Sequence, residues 1–153
     1  MKARFQFAAI GFCGAIYLVF GFVALNLASN LNSKLNSQTN LYWRIWGESI
    51  AVTVLGLALF LAAFLVSYPK PTRLVVGGLL GAVSSVLGAL LAIDLLSAVV
   101  QYYAFEQSLQ AGFFQDMLTA CLVGILLVGF PLGMVGSLGG IRNSRGEDAR
   151  SEP

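Results

Sequence analysis

The sequence predicts an all-α integral membrane protein folded as a four-helix transmembrane bundle. Three observations carry that prediction. The chain of 153 residues is 58% hydrophobic and only 10% charged, with a mean hydropathy of +0.81, far from the composition of a soluble domain. Its apolar residues fall into four runs, expected as spans at about 5–27, 48–66, 74–103 and 113–138, each long enough for a ~30 Å hydrocarbon core. Lysine and arginine are unevenly shared between the connections, which orients the bundle with N- and C-termini inside and one longer interfacial loop outside.

The first run follows the basic start Met1-Lys2-Ala3-Arg4 and extends from Phe5 to Leu27. A secretory signal has the same charged start but an apolar region of only about 7–15 residues, so an uncleaved span is expected, with cleavage after Ala28 the minor alternative. Gln6, Cys13 and Tyr17 share one face of it and are expected to pack against a neighbour.

Residues 29–47, SNLNSKLNSQTNLYWRIWG, form the only long hydrophilic connection. Asn and Ser in its first half favour turns. Tyr42, Trp43 and Trp46 in its second half are amphipathic rings of the kind that settle at headgroup level. A helical extension turning back along the interface is expected there, and Tyr102 and Tyr103 are expected to mark the same interface on the third span. No Asn-x-Ser/Thr sequon is present.

The second span is expected to stop at Ser67-Tyr68-Pro69-Lys70-Pro71, because two prolines bracketing a lysine force an extended turn. A tight hairpin into the third span follows. From Leu74 to Val100 there are 27 residues with one charge, Asp94, roughly 40 Å of helix at ~1.5 Å per residue. Twelve Leu, Ile and Val residues between 79 and 100 offset the insertion of that acid. Two faces can be read on this helix at about 100° per residue. Gly77, Gly81, Ser84, Gly88 and Ala92 form a stripe of small side chains suited to close helix approach. Asp94, Ser97 and Gln101 fall on a second stripe, above Leu87 and Leu90, so protein is expected on both faces.

A short acidic connection, Glu106 to Gly112, leads to the fourth span, where Pro131 should kink the helix and the step from Gly129 to Gly133 should admit a neighbour. The tail, 139–153, is polar and expected to be a disordered cytoplasmic segment. With this topology the inner side holds Lys2, Arg4, Lys70, Arg73, Arg142, Arg145 and Arg150, against Lys34 and Arg44 outside. The cytoplasmic (plasma) membrane is the expected location.

Composition excludes much chemistry. The chain has no histidine, so His-ligated haem, a Ser-His-Asp triad and His-based zinc sites are impossible. Two cysteines are too few for a four-thiolate cluster, and Cys13 and Cys121 are expected at different depths, too far apart for a disulfide. A net charge of +2 with no basic patch interleaved with aromatics gives no sign of nucleic-acid binding. No metal or cofactor is expected, and no catalytic residues are identified. The residues that mark other four-span layouts are not in place: the expected first span has no acid, the expected spans no arginine, and the long loop no cysteine pair.

The constellation that remains is Asp94 with Ser97 and Gln101, and Arg44, Glu106 and Asp116 as possible outer-side partners. Two states of Asp94 are open at this point. It is either unpaired and protonated, hydrogen-bonding as a neutral acid, or paired with Arg44, whose long arm snorkels inward. Either Asp94 fixes bundle register or it carries a proton or cation. The expected function is a non-catalytic packing or accessory subunit in contact with membrane lipid. It would associate as a homo-oligomer, or with other membrane subunits, through its glycine-rich faces. The alternative is a small proton- or cation-coupled transporter using Asp94.

Overall fold

The computed structural model describes residues 2–31, 39–68, 70–106 and 109–151, and side chains within 4–31, 40–68, 70–102 and 115–142. The described chain is helical almost throughout. Helix α1 spans Lys2–Asn30, α2 Thr39–Ser67, α3 Pro71–Glu106 and α4 Leu109–Gly124; a π-turn, Ile125–Gly129, leads into α5, Phe130–Ser151. Four stretches, Arg4–Asn30, Asn40–Ser67, Pro71–Tyr102 and Gln115–Arg142, are long and apolar enough to cross a membrane.

The helices form a ring in which α1 packs on α2, α2 on α3, α3 on α5, and the α4–α5 span returns to α1, with little contact across the diagonal between α1 and α3. Each neighbouring pair is antiparallel. On α1, Gly11, Gly14 and Gly21 meet Ala63, Gly56 and Thr53 of α2 in reverse order. Gly133 and Gly136 of α5 meet Cys13 and Ile10 of α1 in the same reversed sense. Lipid tails are as apolar as leucine side chains, so van der Waals packing rather than a hydrophobic gradient holds such helices together, and small residues let the backbones approach. Large apolar side chains such as Phe12, Phe22, Leu57, Leu61 and Leu79 point outward instead.

Helix boundaries differ from the expected ones. The aromatic half of the long connection is the beginning of α2, so that helix starts at Thr39, before the expected residue 48, and carries Arg44. The Glu106–Gly112 connection is helical on both sides. Hydropathy marks where a helix leaves hydrocarbon, and polar residues with fair helix propensity carry the same helix on into water. The expected disordered tail from residue 139 meets the same correction. The backbone of α5 is helical through Ser151, and its first part is packed. A side chain at Gly139 would lie 2.8 Å from Gln6 Nε2, and one at Gly140 3.5 Å from Val66. Glycine at 139 admits Gln6, whereas a methyl at 140 would make an ordinary contact.

At the turn between α2 and α3, Leu74 N–H donates to the Lys70 carbonyl at 3.0 Å and α3 opens on Pro71, where a missing N–H costs no helix bond. Arg73 lies over the Tyr68 ring, 5.1 Å from its centroid. Pro131 cannot donate to the carbonyl four residues back. Just before it the helix widens into the π-turn, with Phe130 N–H bonded to the Ile125 carbonyl.

Candidate functional site

The small-residue stripe of α3 is spent inside the bundle. A side chain on Gly77 would stand 2.9 Å from Leu65 and Val66, and one on Gly81 would collide with Ser137 of α5. Gly88 lies against the Tyr17 ring, and Ser84 and Ala92 are buried. Gly133 lies against Ser85 and Cys13, and Gly129 faces Ile16. The residues expected on one face of the first span, Gln6, Cys13 and Tyr17, are all buried at this seam. Tyr17 Oη donates to the Ser85 carbonyl at 2.8 Å, and Cys13 Sγ lies 3.8 Å from Ser85 Oγ. Cys13 and Cys121 are both free thiols.

The opposite face of α3 carries the polar constellation. Asp94 side-chain exposure is 50%, and Ser97 and Gln101 are exposed beside it. Gln101 Nε2 donates to Ser97 Oγ at 3.4 Å, the i, i+4 spacing that sets two side chains over one another on a helix. Below them a groove of about 530 Å³ is lined by Leu87, Leu90, Leu91, Ile93, Asp94 and Ser97.

Arg44 reaches this face from α2. Its Nε donates to Glu48 Oε1 at 2.7 Å and its terminal Nη2 donates to Asp94 Oδ1. One planar guanidinium thus holds two carboxylates, one on its own helix and one across the α2–α3 seam, the forked geometry for which arginine is suited. Of the two states left open by the sequence, the ion pair is the one observed, and Arg44 reaches Asp94 from the first turns of α2, which begins earlier than expected. The side chain of Glu48 is only 12% exposed, and its second oxygen, Oε2, is buried without a partner. The cluster therefore contains two carboxylates and one guanidinium. Glu48 was legible: it stands four residues after Arg44, the spacing of a helical ion pair.

The other expected partners stay apart. Asp116 is exposed on α4 and takes no part in the Arg44 ion pairs. The side chains of Glu106 and Tyr103 lie outside the described residues. Among the expected interface anchors, Trp43 is 66% exposed. Tyr42 lies edge-on to both Trp43 and Trp46, at 5.3 and 6.5 Å between ring centroids. Tyr102 departs from expectation: it is fully buried in the core with Leu95, Val99 and Leu27, because it falls on the face of α3 that packs inward.

Comparison of the chain with protein-family models, with curated proteins and with solved structures gives no match in any of the three.

Proposed function

We propose that this chain is a non-catalytic membrane protein that works by lateral association within the bilayer, and that both its termini lie on the cytoplasmic side of the plasma membrane. One observation supports the first part above all: Asp94, Ser97 and Gln101 stand exposed on a membrane-spanning helix. Ionisable residues in spans almost always face a bundle interior or a water-filled cavity. Here the described residues of the single chain offer no such cover, and protein laid against α3 supplies it. The glycine faces, turned inward against neighbours of the same chain, leave the polar face of α3 as the association surface. The orientation rests on the sequence, in which the expected topology assigns seven lysines and arginines to the connections and termini of one side and two to those of the other.

The test is the native mass of the protein extracted gently from its own membrane, with co-purifying chains identified. An assembly larger than one chain is expected, and its loss on Gln101→Leu would place the contact on α3. A strictly monomeric particle would refute the proposal.

A second reading, a proton- or cation-coupled carrier, is favoured by two carboxylates sharing one guanidinium. In that reading Asp94→Asn leaves the fold intact and abolishes uptake into liposomes. Unchanged flux in that variant would remove it.

A further inference from the structure

We propose that the seam between α1 and α2, at the end of the bundle where α2 turns into α3, binds an anionic phospholipid, with its phosphate at Arg4 and Arg73 and the start of an acyl chain in the groove beneath. This surface is separate from the polar face of α3 and does not depend on the association argued for that face.

A groove of about 360 Å³ is lined there by Arg4 and Phe7 of α1 and by Phe64 and Ser67 of α2. On each helix the polar and the aromatic residue stand three positions apart, the spacing of neighbours on one helix face. Both rings are exposed, so the groove opens on the outside of the bundle. Its basic rim continues through ring contacts. Tyr68 lies edge-on to Phe64 at 5.0 Å between centroids, and the Arg73 guanidinium stands 5.1 Å from the Tyr68 centroid.

The backbone sets the level of this groove in a membrane. Helix α2 ends at Ser67 and α3 opens at Pro71, and lipid-exposed backbone outside a helix is not tolerated within hydrocarbon. The turn therefore sits at or beyond the hydrocarbon boundary, and Phe64, four positions before Tyr68, lies about 6 Å below it. Helix α1 reaches the same level. Gly11 faces Ala63, and Arg4 is seven positions before Gly11 as Lys70 is seven after Ala63. Cations at the boundary with phenylalanines just beneath match the order of a phospholipid, phosphate outside and hydrocarbon inside.

Charge decides the lipid class. Arg4, Lys70, Arg73 and Arg142 gather at this end and form no ion pair among the described residues. The described acids belong to the other end; Asp94 is 21 positions from Arg73 on one helix, about 32 Å along its axis. Basic pockets between spans take anionic headgroups. Ser67 Oγ already donates to the Phe64 carbonyl at 2.6 Å, which leaves it to accept from a headgroup hydroxyl, a group that choline does not offer. A water-soluble anion would satisfy the arginines and leave both rings uncovered, so the lipid is the occupant that uses the whole groove.

Leu61→Trp, made in a Trp43→Phe, Trp46→Phe chain, puts a single fluorophore on the exposed side of α2 one turn from Phe64. The purified full chain is reconstituted in phosphatidylcholine with a rising fraction of phosphatidylglycerol or phosphatidylcholine brominated at mid-chain, which quenches tryptophan on contact. The phosphatidylglycerol should quench at about five- to thirty-fold lower mole fraction, the range for one or two arginines near a membrane surface. Arg4→Gln and Arg73→Gln should lower that preference, whereas Arg142→Gln, at the same end but off the groove, should leave it. Sodium phosphate should weaken it no more than sodium chloride at equal ionic strength. Equal quenching by the two lipids overturns the inference. So does a preference unchanged by both groove variants, one lowered as much by Arg142→Gln, or one lost specifically in phosphate.

Discussion

Gly88→Ala tests the packing at the centre of the bundle. The new methyl would lie 2.8 Å from Tyr17 Cδ1 and 3.1 Å from Cζ, with Cε1 closer still, against an ordinary carbon contact of about 3.5–4.0 Å. Tyr17 has little room to yield: it is fully buried and its hydroxyl is tied to the Ser85 carbonyl at 2.8 Å. Overpacking of this kind costs about 1–3 kcal/mol, and shifting the ring loosens a hydrogen bond of about 0.5–1.5 kcal/mol. The gain of helix propensity on replacing glycine offsets about 1 kcal/mol. A net loss of about 1–3 kcal/mol results, with the overpacking range setting its scale. The assay is unfolding of the purified protein in mixed micelles by increasing mole fraction of dodecyl sulfate, followed by tryptophan fluorescence. In a Tyr17→Leu background the same substitution should be neutral or stabilising, since the ring it strikes is gone. Gly88→Ala as stable as the wild type, or equally costly in both backgrounds, would refute the packing argument.

Three other substitutions read different parts of the structure. Gly47→Ala meets nothing within 4 Å and should raise stability by up to about 1 kcal/mol in the same micelle titration. Gly133→Leu, directed at Ser85 and Cys13 of the same chain, should lower the unfolding midpoint of the isolated protein at every protein concentration. A loss seen only as a concentration-dependent mass would instead return Gly133 to an association surface. Arg44→Gln strands Glu48 and Asp94 together without a cation, whereas Arg44→Gln with Glu48→Gln and Asp94→Asn removes all three charges. Breaking one partner of an ion cluster is worse than removing the whole, so the triple variant should melt above the single one; the reverse order would show that Arg44 contributes little to holding α2 on α3.

Much of this architecture was legible in the residues. Four spans, the Pro69-Lys70-Pro71 stop and the two faces of α3 follow from hydropathy, proline chemistry and a 100° wheel. What the wheel cannot say is which face turns inward. Gly77 and Gly81 suit a dimer seam as well as an intramolecular one until Leu65 and Ser137 are seen against them. An aromatic near the end of an apolar run can face lipid headgroups or the bundle, and only the position of Val99 and Leu95 on the same side of α3 shows that Tyr102 packs inward. The π-turn at 125–129 left only Pro131 as its signal, since a widened turn changes hydrogen bonding without changing composition. Arg44 as the partner of Asp94 was legible as an alternative, and the ion pair across α2 and α3 is what selects it.

The Arg44–Asp94 contact joins residues separated by 50 positions, and its direction along the chain matters during synthesis. The cation emerges first, on α2; the acid follows on α3, on the far arm of a hairpin whose turn is already fixed by Pro71 and Arg73. If the two helices enter a bilayer as a pair, the acid meets its counterion as the hairpin inserts. The reverse order, with the acid on the earlier helix, would have exposed a lone carboxylate to hydrocarbon until its partner arrived.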